Sequence, residues 1–221
     1  MSRLLECLTK NRLTLIADLA EPNLELAKAA VAGGIDAMQI HLPVDDAAAI
    51  LRNLVSWPRE LKIPIGVMFD GKKAPAEEIV KECLKLGFDF VNFRRDSLPP
   101  YYSNIVGLAK VMTLAQSFTM DLVLGIDEHG AQALVAAIVP PGEQGKKLVV
   151  GDLQNYISVV LAAGIPVVIP TQVAIQPSEV AIIADTDAKG LLLTPLVLGK
   201  TAAHAEKNTR EFKVAVDELG N

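Results

Sequence analysis

The segment LIADLAEPNLELAKAAVAGGIDAMQIHLPVDD, residues 15–46, contains two short apolar runs separated by a helical pattern. The first run ends at Asp18, and the second, Ala37–His41, follows the pair Gly33-Gly34. Glycine at such a point is typical of a helix C-cap that turns the chain back toward a sheet. The segment therefore predicts a strand, a helix and a second, parallel strand.

The same transition occurs again further along the chain. The segments CLKLGFDFVNF (83–93) and LAAGIPVVI (161–169) also pass from a helical pattern through glycine into an apolar run. This repeat of about 25 residues predicts eight strands, each followed by a helix. The predicted strands are Leu13–Asp18, Ala37–His41, Ile65–Asp70, Phe88–Arg94, Asp121–Asp127, Lys147–Gly151, Pro166–Thr171 and Gly190–Thr194.

Eight such units in 221 residues favour a closed barrel, because closure leaves no sheet edge to protect. We therefore expect an α/β fold, a single (β/α)₈ TIM barrel in which residues 1–221 form one domain. A short N-terminal helix is predicted before the first strand. It carries Leu4, Leu5 and Leu8 on one side, which suits a lid over the amino-terminal end of the barrel.

Composition and charge argue against several classes of protein. The chain is 51% hydrophobic but only 5% aromatic, as expected for a core of Ala, Val, Ile and Leu. A net charge of −5 without a Lys/Arg block argues against a nucleic-acid partner. Two cysteines without metal or redox spacing, no signal-peptide pattern and no bilayer-length apolar stretch favour a cytoplasmic protein without membrane association.

Polar residues at the predicted strand ends are the candidate site, because TIM-barrel sites lie at the carboxyl ends of the strands. Period-two alternation places Gln39 with His41 on one face of the second strand, and Asn92 with Arg94 on one face of the fourth. If these faces point inward, they form a polar floor. The other candidates are Asp18, Asp70, Asp127, Gln172 and Thr194, whereas Asp152 is interpreted as a helix cap.

Several of these residues have two open interpretations. Asp18, His41 and Asp70 suit either a catalytic or a structural role. The segment Gly199-Lys200-Thr201 resembles the end of a Walker A loop, but Thr194 stands where the motif requires glycine. Lys200 and Thr201 therefore either assist anion binding at the turn after the last strand or simply begin a helix.

The pattern of the whole chain resembles the phosphate-binding TIM-barrel superfamily, which includes ribulose-phosphate 3-epimerase, thiamine-phosphate synthase and N-acetylmannosamine-6-phosphate epimerase. Residues 15–46 are similar to the first two strands of the ribulose-phosphate epimerases, where an aspartate follows strand one and a His-x-Asp pair ends strand two. The resemblance implies an enzyme that acts on a sugar phosphate, with Asp18 as the strand-one aspartate.

The chain departs from that superfamily at its motifs, as a divergent member would. Gln39 and His41 replace the His-x-Asp pair, and the third strand, IPIGVMFD, has no histidine, so we expect no metal and no cofactor. The glycine-rich turns that bind phosphate after strands seven and eight are also missing, since the corresponding segments are Pro170-Thr171-Gln172 and Thr194-Pro195.

These observations leave two functional hypotheses. The first is an isomerase or lyase that acts on a small anionic, sugar-phosphate-like metabolite by proton transfer, with Asp18 or Asp70 as base, His41 as acid partner and Arg94 as anion clamp. The other predicted substrate-binding residues are Gln39, Asn92, Asp127, Gln172, Thr194, Lys200 and Thr201. The second is a barrel without catalysis that binds a ligand or assembles, for example as a homo-oligomer.

Overall fold

The computed structural model describes residues 2–220. Eight parallel strands pair in chain order, and the last strand closes against the first, which confirms the predicted (β/α)₈ barrel. The strands are β1 (Thr14–Leu19), β2 (Ala37–Pro43), β3 (Ile65–Asp70), β4 (Phe90–Arg94), β5 (Ala109–Ala115), β6 (Ala133–Ala137), β7 (Val167–Pro170) and β8 (Gly190–Leu193).

The helices begin and end at residues that suit these positions. Gly34, Gly87 and Gly164 have positive φ angles of 99°, 89° and 63° and cap three of the helices, as their position before a strand predicted. No helix between residues 2 and 220 is long and apolar enough to cross a membrane. The helices are α1 (Arg3–Lys10), α2 (Leu24–Gly33), α3 (Ala47–Asn53), α4 (Trp57–Leu61), α5 (Glu77–Leu86), α6 (Met120–Val123), α7 (Val150–Ala163), α8 (Val180–Ala184), α9 (Pro195–Leu198) and α10 (Ala202–Asp217).

The fifth and sixth predicted strands were wrong. Residues 121–127 form part of α6 and the turn after it, and residues 147–151 form a loop and the start of α7. The true β5 lies earlier because residues 95–108, which join β4 to β5, contain two 3₁₀ turns and no α-helix. Tyr102 of the second turn fills the place of the missing helix, with its ring edge-on to Phe93 at 5.7 Å between centroids.

The lower half of the barrel interior is apolar and is closed by α1. Leu4 and Leu8 of α1 are buried in one cluster with inward side chains of the strands. Asp89, in the turn before β4, holds the start of this helix by accepting from the backbone N–H of Arg3 at 2.9 Å and of Leu4 at 2.8 Å. The predicted N-terminal lid is therefore confirmed. Inward polar side chains of the strands lie at the opposite end of the barrel, where the strands have their carboxyl ends.

Gly66 leaves room for an aromatic ring inside this cluster. A Cβ atom added to Gly66 on β3 would lie 2.2 Å from the ring of Phe90 on β4. We expect Gly66→Ala to lower the free energy of unfolding by about 1–3 kcal/mol through overpacking. Denaturant unfolding of G66A, of G66A/F90L and of the control G151A, where the added methyl meets nothing within 4 Å, measures this. A stable G66A, or no recovery in the double variant, would contradict it.

Candidate functional site

Three side chains from adjacent strands form a hydrogen-bonded row at the carboxyl end of the barrel, called here the mouth. His41 on β2 lies between two carboxylates, with Nε2 at 2.8 Å from Asp18 Oδ1 on β1 and Nδ1 at 2.8 Å from Asp70 Oδ2 on β3. The row crosses the three strands diagonally, because the register partner of Asp18 is Gln39, two residues before His41, and that of His41 is Met68, two residues before Asp70. The structure thus brings together the three residues predicted to be catalytic.

The row continues into a buried network across the barrel. Gln39 Nε2 donates to Asp18 Oδ1 at 2.9 Å, and Asn92 Nδ2 on β4 donates to Gln39 Oε1 at 2.7 Å. Thr113 Oγ1 on β5 donates to Asn92 Oδ1 at 2.8 Å. Gln39 and Asn92 are buried, so the predicted inward face of β2 and β4 is confirmed.

The direction of every hydrogen bond in this network follows from the carboxylate of Asp18. A carboxylate only accepts, so Gln39 must turn its NH₂ group toward Asp18 and its oxygen toward Asn92. Asn92 then has its NH₂ group toward Gln39 and its oxygen toward Thr113. The hydroxyl proton of Thr113 is consequently committed to Asn92, and its remaining capacity is that of an acceptor.

His41 is an imidazolium in this environment. Burial of the ring disfavours the charged form, but the hydrogen bonds and negative charges of Asp18 and Asp70 outweigh burial and raise the pKa of His41 from 6.5 to about 10. Both ring nitrogens then carry protons, and each proton goes to a carboxylate. Within residues 2–220, no group of three or more His, Cys, Asp and Glu side chains is arranged to hold a metal ion.

The two carboxylates of the row differ in their access to solvent. The Asp18 side chain is 10% exposed, and its Oδ1 accepts from both Gln39 and His41. The Asp70 side chain is 45% exposed at the rim of the mouth, where His41 holds Oδ2. Asp70 is therefore the carboxylate that a ligand in the mouth can reach, whereas Asp18 is part of the floor.

A cavity of about 200 Å³ opens between the ends of β4 and β7, and its lining includes Thr113, the last side chain of the buried network. No acidic side chain is among the residues that line it. Arg94, at the end of β4, is exposed and is paired with Asp96, 3.2 Å from Nε and 3.4 Å from Nη2. The polar lining consists of Arg94, Thr113, Gln116, Gln144 and Gln172.

The ends of β7 and β8 are tied together by two threonines. Thr171 Oγ1 accepts from the Thr194 backbone N–H at 2.9 Å, and the Thr194 hydroxyl donates to the Thr171 carbonyl at 3.0 Å. Gln172 accepts from the Val139 backbone N–H through Oε1 at 3.2 Å and lines the cavity. Thr194, a predicted ligand-binding residue, thus uses its amide and its hydroxyl to join the two strands.

The remaining predicted residues are not part of this arrangement. Asp127 lies in the turn between α6 and β6, because its predicted strand does not exist. Thr201 accepts from the backbone N–H of His204 through Oγ1 at 3.3 Å and caps α10. Lys200 is exposed next to that cap, so these two residues mark a helix start.

Thr113, Gln116 and Gln144 line the cavity but were missed from the sequence. Thr113 was overlooked because β5 was predicted too late in the chain. The alternation of AKVMTLA, residues 109–115, would have placed Thr113 on the inward face with Val111 once that strand was recognised. Gln116 and Gln144 lie in loops, where no periodicity marks them.

The comparisons with known proteins agree on the architecture. No protein-family model and no curated protein matches the chain. Thiamine phosphate pyrophosphorylase from Pyrococcus furiosus is similar in structure, with 20% identity, a TM-score of 0.69 and coverage of 96% of this chain and 100% of that one. KGPDC from Streptococcus mutans, solved as a ligand complex, gives 16% identity, a TM-score of 0.70 and coverage of 96% and 100%.

A third similar structure is phosphoribosyl anthranilate isomerase from Thermus thermophilus, with 17% identity, a TM-score of 0.63 and coverage of 94% of this chain and 100% of that one. Identities this low establish a shared fold and leave the reaction open. The resemblance noted in the sequence is therefore confirmed for the architecture. The chain is a (β/α)₈ barrel whose fold is similar to that of these three enzymes.

Proposed function

We propose that the protein is an isomerase or lyase that acts on a small anionic, sugar-phosphate-like metabolite by proton transfer. The observation that carries this proposal is the row Asp18–His41–Asp70, with a half-exposed carboxylate at its outer end. Structural neighbours include a phosphoribosyl anthranilate isomerase and a thiamine phosphate pyrophosphorylase, which is consistent with this class of substrate.

Asp70 is the proposed base. Its side chain is 45% exposed at the rim of the mouth, whereas the Asp18 side chain is 10% exposed and is held by both Gln39 and His41. Asp70 would take a proton from a substrate carbon, and the electron pair would move to a neighbouring carbonyl or carboxylate, where Arg94 stabilises the developing charge.

The test begins with a thermal-shift screen of phosphorylated and carboxylated metabolites, followed by turnover assays on any compound that raises the melting temperature. We expect Asp70→Asn to reduce kcat by about 10²- to 10⁴-fold, as loss of a general base does. Asp45→Asn is the matched control, because Asp45 is an exposed carboxylate of the loop after β2 and lies outside the row. Normal turnover by D70N would contradict the proposal.

The alternative is a barrel without catalysis that binds a ligand or assembles with copies of itself. Two observations favour it: the Thr194 amide is occupied by Thr171, and α7 exposes Val150, Ile157 and Leu161 at 70%, 38% and 80%. Apolar side chains on an outer helix face are typical of an interface. A concentration-dependent oligomer that Leu161→Glu dissociates, with no ligand found in the screen, would support this alternative.

A further inference from the structure

The cavity between β4 and β7 has a fixed pattern of hydrogen-bond donors and acceptors. Thr113 lines the cavity, and because Asp18 sets the direction of the network, its Oγ1 retains only the capacity to accept. Gln172 is fixed in the same way, since its Oε1 accepts from the Val139 N–H and its NH₂ group remains as donor. Asp96 occupies Nε and Nη2 of Arg94, which leaves Nη1 as a donor toward a ligand.

The cation and the acceptor are close neighbours. Arg94 on β4 and Thr113 on β5 are register partners, so their backbones are separated by about 4.8 Å, the distance between adjacent strands. Both side chains line the same cavity. One short ligand fragment can therefore place a negative group on Arg94 and donate a hydroxyl proton to Thr113.

The charge of the cavity favours a carboxylate over a phosphate. Arg94 is the single charged side chain among its lining residues, and because Asp96 at 3.2 Å already balances part of its charge, it matches at most one negative charge. A phosphate monoester carries about −1.5 to −2 at pH 7. A volume of about 200 Å³ is also below the ~300–1,000 Å³ of clefts for drug-sized ligands, which suits one end of a small molecule.

From this pattern we infer that the cavity binds a hydroxyl-bearing carboxylate, with the carboxylate on Arg94 and Gln172 and the hydroxyl group on Thr113. The inference rests on the proposed function for its reacting end, since Asp70 would address the remainder of the same ligand. It refines the substrate class from an anionic metabolite to a hydroxy acid.

Four small probes separate the contributions: glycerate, propionate without hydroxyls, glycerol without charge, and inorganic phosphate. Their affinities are measured at pH 7 by titration of backbone amide NMR signals. We expect glycerate to bind about five-fold more tightly than propionate, the effect of one neutral hydrogen bond, and more tightly than phosphate, whereas glycerol should not bind measurably. Failure of glycerate to bind at tens of millimolar, or tighter binding of phosphate, would overturn the inference.

Two pairs of variants locate the contacts. Arg94→Gln should weaken glycerate binding by about ten-fold or more, as expected for a charge-assisted contact, whereas Arg95→Gln, the adjacent arginine outside the cavity lining, should leave it unchanged. Thr113→Val should abolish the preference for glycerate over propionate, and Thr113→Ser, which retains the hydroxyl, should preserve it. Equal effects of R94Q and R95Q, or a preference that persists in T113V, would overturn the inference.

The binding result is independent of catalysis. Asp70→Asn does not alter the cavity lining, so D70N should bind glycerate like the unmodified protein. If D70N binds glycerate and also turns substrate over normally, the proposed base is rejected and the inferred hydroxy-acid cavity is retained. Loss of turnover in D70N without selective glycerate binding would reject the cavity and leave the base standing.

Discussion

Replacing His41 with glutamine should lower the free energy of unfolding by about 3 kcal/mol, because it leaves the buried Asp18 carboxylate without its cation. Asp18 is 10% exposed and would retain only the Gln39 amide as a donor. Replacing Asp70 with asparagine should cost about 1 kcal/mol or less, since that carboxylate is 45% exposed and an exposed ion pair contributes little. Urea unfolding of both variants measures this contrast.

The double variant Asp18→Asn/His41→Gln provides the control. It removes both charges of the buried pair, so no unpaired charge is left inside the barrel, and it should be more stable than H41Q alone. Two results would contradict this account of the buried pair. One is an equal loss of unfolding free energy in H41Q and D70N. The other is a double variant whose unfolding free energy is lower than that of H41Q.

The second large effect is the pH dependence of stability. The pKa of His41 is raised in the folded protein from 6.5 to about 10, so the folded state retains a proton that the unfolded state releases. The resulting stabilisation is fully present below about pH 6.5 and is lost as the pH rises to about 10. We expect a total loss of about 3 kcal/mol across this window, reduced by solvent at the exposed Asp70 end.

The difference between the unmodified protein and H41Q isolates this contribution. Other groups also titrate at high pH, including Cys7, whose pKa is raised by burial and by Asp36, but they are the same in both proteins. Unfolding free energies measured at intervals from pH 6 to pH 10 should converge as the pH rises. A constant difference between the two proteins over this range would show that His41 does not carry the proton in the folded state.

The fold was largely predictable because most units follow the same local pattern. Gly33-Gly34 and Gly87 mark the ends of α2 and α5, and each is followed by an apolar run that forms a strand. The prediction failed between β4 and β7, and the error began where Tyr102 in a 3₁₀ turn takes the place of a helix. A regular repeat cannot reveal that one unit lacks its helix, because the replacement of that helix by the Tyr102 ring depends on tertiary packing.

The site was predictable where it depends on alternation within strands. Gln39 and His41, like Asn92, point inward as the period of two required. The two bonds of His41 to Asp18 and Asp70 could not be read from the chain, because they depend on the register between three strands. The cavity was missed for a different reason. Thr113 lies on β5, which was predicted at the wrong residues, and the cavity residues Gln116 and Gln144 lie in loops.

The protonation state of His41 tests the central claim most directly. NMR of the ¹⁵N-labelled imidazole, followed from pH 5 to pH 11 and assigned with H41Q, reports both ring nitrogens. The row Asp18–His41–Asp70 predicts two protonated nitrogens at neutral pH and a pKa of about 10 for His41. A neutral ring at pH 7 that titrates near 6.5, the ordinary value of histidine, would contradict the account.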